Sequence, residues 1–491
     1  MKHVFTIIIA VLLFLPSSCS TKEDYVSRGN TYAHEGQYDK AIEEYNTAIS
    51  INPNHADAYS NRGIAYGMKG QHDKAIEDFN TAISIDPNLA QAYFNRGVIY
   101  GIKGQYDKEI EDYNKAITID PNYAKAYINR GVVYHDNGQY DKAIEDYNKA
   151  IAIDPNLTEA YLNRGSTYNK KGKYDKAIED FNKAITLNPN DHEIYYNRGV
   201  TYADKGQYDK AIEDYNKAIM INPNIALPYY NRGNIYTTKG QYDMAIEDYN
   251  RAILINPNFA DAYHNRGTAN NRRGQYDKGI EDYSKAITMN PNNAEAYYDR
   301  GLAYAYKEQY DKAIKNFSKA IAINPNYVVA YNNRALIYSK KGQYDKAIAD
   351  YDRAININPN DALAYFNRGR AYDHKGQYDK AIKDYTKAIE LNHPNLAGAY
   401  NNRGLDYALI GKIKEAEEDI KKAYELNPDS AAIISSMAEL FSLKNDTNKA
   451  CEWLRKGIEK YNNKTWNYIK TSKTFDNIRG SSCYNEIMSG R

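Results

Sequence analysis

The sequence predicts an all-α solenoid of about twelve to thirteen stacked helix-turn-helix repeats with a C-terminal cap. Three observations carry this. Apart from Pro16 and Pro228, the prolines are Pro53, Pro87, Pro121, Pro155, Pro189, Pro223, Pro257, Pro291, Pro325, Pro359, Pro394 and Pro428, a step of 34 residues except for 35 into Pro394, where His393 is inserted. A fixed period of that length marks units that stack. Each period holds two apolar stripes at helical spacing. Finally, 51 Tyr stand against 10 Phe and 2 Trp, a bias expected of a repeated unit rich in tyrosine.

The first residues stand apart. Lys2 and His3 precede an apolar run from Val4 to Leu15, followed by "PSSCS" at 16–20. This order is that of a secretory signal peptide, over 1–19. A membrane anchor is the alternative, although a span needs about 20 apolar residues. Ser17-Ser18-Cys19 resembles the end of a bacterial lipobox, with Cys19 as the lipidated residue and Pro16 where a large aliphatic residue is usual. With Ser20 after it, the resemblance implies an exported protein of the cell envelope, held at the outer membrane of a Gram-negative cell, or otherwise periplasmic or secreted.

Each repeat can be read from the copy at 124–157. A first helix, A, is expected over about 124–137, with Ala126, Tyr127, Gly131 and Tyr134 on one face. Gly138 ends it, since a helix C-terminus favours a residue that tolerates positive φ. A second helix, B, starts near Tyr140, with Asp141 in its first turn, next to the positive end of the helix dipole. Ala143, Ile144, Tyr147, Ala150 and Ile151 form its stripe. Pro155 stops it by forcing Asp154 out of the helical region. One hairpin cannot bury both faces, so neighbours must share a core. Gly131 and Ala143 are expected where the two helices cross closely. Glu109 and Gly279 depart from Ala at that helix-B position, and Glu109 is expected to distort its surroundings. The eighth repeat, with Asn270 in place of tyrosine, is expected to be the softest joint.

The pattern Y-x-N-R-G-x-x-Y, Y-D-K-A-I-E-D-Y-N-K-A-I and then N-P-N or D-P-N resembles the tetratricopeptide repeat (TPR). The resemblance covers 22–428 as twelve repeats and 429–462 as a degenerate thirteenth, leaving 463–491 as a capping segment. It implies a right-handed superhelix whose helix-A wall binds peptides. On that wall an asparagine recurs as Asn61, Asn95, Asn129, Asn163, Asn197, Asn231, Asn265, Asp299, Asn333, Asn367 and Asn402. A primary amide donates and accepts, so it can hold a peptide backbone whatever its sequence, or it can bond a neighbouring helix. The arginine beside it, Arg130 and its equivalents, stands where the family usually has leucine. It is expected to pair with a helix-B acid such as Asp146. In the ninth repeat Asp299 and Asn316 suggest that an acid has changed places while Arg300 stays. The residues before the ladder, among them Phe94, Ile128, Leu162 and Tyr196, are expected to floor a groove that becomes basic toward Lys340, Arg370 and His374.

Charges nearly cancel, 64 Lys+Arg against 63 Asp+Glu, which argues against a nucleic-acid surface. Scattered histidines and the absence of GxxxxGK or HExxH motifs argue against an enzyme, a cofactor or a metal. Cys451 and Cys483 could pair or remain separate thiols. The expected function is a noncatalytic scaffold that binds extended segments of other proteins. The alternative is an accessory subunit of an envelope assembly or secretion machine, docking folded partners on its convex face or ends.

Overall fold

The computed structural model describes residues 24–461 and 473–489. The signal segment with Cys19, and Trp466 in the capping segment, lie outside the described residues. The chain is all-α, and among the described residues there is no strand. It divides into two compact units, residues 1–239 and 240–491. In each unit helices follow one another in pairs, and each helix packs on those next to it in sequence.

The copy at 124–157 shows how one repeat is built. Its helices run Ala124–Asp136 and Tyr140–Ile153. Gly138 takes φ +72°. That lets the Gln139 N–H reach back to the Tyr134 carbonyl at 2.8 Å, closing the first helix as a Schellman turn. At the far end Asp154 is extended and its N–H caps the Ala150 carbonyl. Its carboxylate accepts the Asn156 N–H at 2.9 Å, so the D-P-N triplet is a stop signal and a turn at once.

The core is small residues around large rings. Ala143, Ala150 and Ala160 are buried in one cluster with Tyr147, and Ala126 in the preceding cluster with Tyr113. The glycine has a more exact role than the sequence suggested. A Cβ on Gly131 would lie 2.7 Å from the Tyr147 ring, so the missing side chain makes room for that ring. The helix-B small position faces the helix-A backbone: a Cβ on Gly279 would sit 3.1 Å from the Gly267 carbonyl. The close crossing is therefore real.

Both departures are compensated inside their own hairpins. Glu109 does not distort its helix, which runs unbroken from Tyr106 to Ile119. It is buried, and its carboxylate occupies the space over Gly101, where a Cβ would come within 2.6 Å of it. In the eighth repeat the sizes are reversed, and the Asn271 side chain fills the space over Gly279. Asn270 is buried in place of the tyrosine and donates to Asp282 at 3.1 Å. That joint is made with polar contacts.

At the C-terminus Phe475, Ile478, Tyr484 and Ile487 pack against Met437, Leu440 and Leu454. Cys451 and Cys483 form a disulfide with a Cα–Cα distance of 6.2 Å, which resolves the two alternatives left by the sequence.

Candidate functional site: the helix-A wall

The arginine beside the ladder is a structural clasp. Arg130 donates from Nε to Asp146 Oδ2 at 2.8 Å and from Nη2 to Oδ1 at 2.6 Å, a bidentate pair. Its Nη1 reaches Asn114 of the preceding repeat at 2.5 Å. The guanidinium also lies over the rings of Tyr127 and Tyr134. One side chain thus ties its own two helices together and ties them to the hairpin before. Burial pushes the Asp146 carboxyl up, and the Arg130 guanidinium draws it back only in part. The expected ion pair is present, and the same geometry recurs at Arg62, Arg96, Arg164, Arg198, Arg266, Arg334, Arg368 and Arg403.

The asparagine row lies beside this clasp, and much of it faces the preceding repeat. Asn61 donates to Asn30 at 3.0 Å. Asn231 donates to the Tyr196 hydroxyl at 3.2 Å, and Asn333 to the Tyr298 hydroxyl at 3.0 Å. Asn129 and Asn402 lie within hydrogen-bonding reach of the Tyr113 and Tyr385 phenols. Asp299 is bound to His264 at 2.7 Å, so the acid that changed places does not reach Arg300. Asn95 and Asn163 are buried, at 3% exposure each. Neither the Asn95 amide nor the Asn163 Nδ2 has a hydrogen-bond partner. Asn197 and Asn265 are half-buried. Asn367 lines an open pocket.

The positions expected to floor a groove are partly core. Phe94 and Ile128 are fully buried. Phe94 packs against the rings of Tyr113 and Tyr123. The side chain before the ladder fills the seam between repeats, because that is where helix A meets the helix-B tyrosine. Sequence reasoning placed it one face too far out.

An open pocket of about 260 Å³ is lined by Leu336, Ser339, Lys340, Tyr351, Asn367, Arg370 and His374. Leu336 is exposed, and Lys340, Arg370 and His374 are exposed cations or a potential one. Ser339 lies by the Tyr351 phenol, yet neither hydroxyl closes a hydrogen bond. The pocket therefore offers apolar surface, positive charge and unused hydroxyls together. Leu336, Ser339 and Tyr351 were missed in the sequence. Ala335, which replaces glycine in this repeat, is buried in one cluster with Tyr351.

Family descriptions match along the array. "Tetratricopeptide repeat" matches residues 56–89, 124–157, 192–225, 226–259, 328–361 and 362–395, with further matches at 79–111, 146–179, 248–281 and 397–430. "TPR repeat" matches 29–70, 100–138, 165–206, 269–307 and 301–342. The chain belongs to the tetratricopeptide repeat family. As a TPR array it is a protein–protein interaction scaffold. Nothing among curated proteins matches it. Among solved structures it is similar to YrrB, described as a TPR protein with an unusual peptide-binding site, at 27% identity over 39% of this chain and 98% of that one, with a TM-score of 0.35. It is similar to MamA at 32% identity, over 32% of this chain and 93% of that one, with a TM-score of 0.30. A tetratricopeptide repeat protein of Parabacteroides merdae matches at 22% identity, over 50% and 98%, with a TM-score of 0.41. Among the described residues of this TPR chain no helix is long and apolar enough to cross a membrane, and no group of three His, Cys, Asp or Glu could hold a metal.

Proposed function

We propose that the chain is a noncatalytic scaffold of a bacterial cell envelope, anchored by lipid on Cys19, which grips extended segments of partner proteins along its helix-A wall. The observation that carries the reading is the open pocket around Asn367, Arg370 and Leu336. An extended peptide presents both backbone amides and side chains. An asparagine, a cation and an exposed leucine answer those three features in one place. The Cys451–Cys483 disulfide supports an oxidising compartment, where such bonds persist. Most of the asparagine row contributes by keeping the repeats in register, and the peptide is held where the row opens.

The test is selection from a displayed peptide library on the mature protein. Short peptides that combine acidic and apolar residues are expected to be enriched. The pair Asn367→Ala and Arg370→Ser should lose them. Retention of the same peptides by that double variant would overturn the assignment of the pocket, and it would favour docking of folded partners elsewhere. Mass analysis of the mature N-terminus checks the anchor: a lipid-modified Cys19 is expected, and an unmodified N-terminus would sink it.

A further inference from the structure

The ninth repeat breaks the arginine rule in a way that leaves a charge unanswered. Nine other repeats seat their arginine on a helix-B aspartate in a bidentate pair. Here the aspartate is Asn316. Arg300 is half-buried, and it donates from Nε to Asn316 Oδ1 at 2.9 Å and from Nη1 to Ser284 at 2.9 Å. Among the described residues no carboxylate meets it. Asp299 is turned to His264, and Asp282 is held by Arg266. Burial without a counter-ion lowers the pKa of Arg300, opposite to the shift in its paired equivalents.

The surroundings add cations and no acid. Arg300 opens on a cleft of about 770 Å³ lined also by Tyr297, Tyr304, Lys312, Lys315, Asn316 and Lys319. Lys315 stands where the repeat usually has glutamate, next to the lost aspartate. Neither Lys315 nor Lys319 has an ion-pair partner among the described residues, and Lys312 bonds the neutral Gln309. Four cations therefore converge on a cleft with no carboxylate in its lining. No residue of the asparagine row takes part.

We infer that this cleft is an oxyanion site in which a carboxylate from an acidic segment of a partner protein pairs with the Arg300 Nη2, which the neutral Asn316 leaves without the carboxylate oxygen it meets in the other repeats. In the paired repeats Nη2 meets a carboxylate oxygen, as Arg130 does with Asp146, whereas the Arg300 Nη2 has no acceptor among the described residues. The lysines around it favour a segment carrying several acids over a lone anion.

The test measures binding of a labelled hexaglutamate peptide to the full mature protein at low salt. Asn316→Asp supplies the missing acid from within. It should weaken peptide binding at least about tenfold, a difference of about 1.4 kcal/mol, and raise the melting temperature. Arg300→Gln should weaken binding to a similar degree. Equal binding by wild type and Asn316→Asp would overturn the proposal. So would competition by inorganic phosphate at the same concentration as the peptide, which would make the site one for free anions. The cleft shares no residue with the Asn367 pocket, so loss of peptide selection there leaves this result standing.

Discussion

Glu109 is an acid at a position where most repeats bury alanine. Burial pushes its pKa up to about 7, and the Tyr113 hydroxyl, donating at 3.1 Å, offsets this only in part. The unfolded chain releases this proton near pH 4, whereas the folded chain keeps it to about 7. Between those values the folded state binds more protons, so stability falls as pH rises, by up to about 3 kcal/mol. Glu109→Gln keeps the shape and removes the titration. Its melting temperature should stay close to wild type near pH 4 and exceed it increasingly toward pH 8; a difference independent of pH would refute the account. Asp406 carries the same sign. Burial first, and the adjacent Asp373 second, push its carboxyl up. A second residue-scale case is Glu308, which takes φ +56° where eleven repeats use glycine. A left-handed conformation disfavours a residue with a Cβ. Glu308→Gly is expected to stabilise by about 0.5–1 kcal/mol in thermal unfolding, and a loss of stability would count against it.

At the scale of the element, the hairpin is held by the arginine clasp as much as by its apolar stripe. Removing one partner of a buried pair leaves the other charge stranded, at a cost of about 3–5 kcal/mol. Arg130→Ala and Asp146→Ala should each lower stability by that order. The double variant should lose clearly less than the sum, because the second change removes a charge already without its partner. Strict additivity in denaturant unfolding would mean that the pair does not couple. This element was legible in the sequence. A fixed Arg and a fixed Asp sixteen residues apart, at 130 and 146, recur in every copy that keeps both. The helices and their turns were legible for the same reason, since equivalents of Gly138 and Pro155 punctuate the copies, with Glu308 replacing the glycine in the ninth. The inward position of Phe94 and Ile128 was not. Periodicity fixes which residues share a helix face, but a face one residue away can turn toward a neighbouring hairpin or toward solvent. Only the packed tyrosine decides between them. The open pocket was hidden for a similar reason, because Ser339 and Tyr351 join it across two helices.

At the scale of the molecule, the helices of each unit pack on their neighbours in sequence, so disturbance at one end should stay local. The C-terminal end gives the clearest case. Phe475, Ile478, Tyr484 and Ile487 cover the last hairpin, and the Cys451–Cys483 bond ties them to it across a separation of 32 residues. Closing a loop of that length is worth about 3–4 kcal/mol, mainly through the unfolded chain. Reduction should therefore open the end without melting the rest. Hydrogen exchange of the reduced protein is expected to show loss of protection in 431–461 and 473–489, with protection in 24–239 unchanged. Uniform loss along the chain would show that the array unfolds as one cooperative body. That result would contradict a stability built from nearest neighbours, because a bond at one end could then act on every repeat.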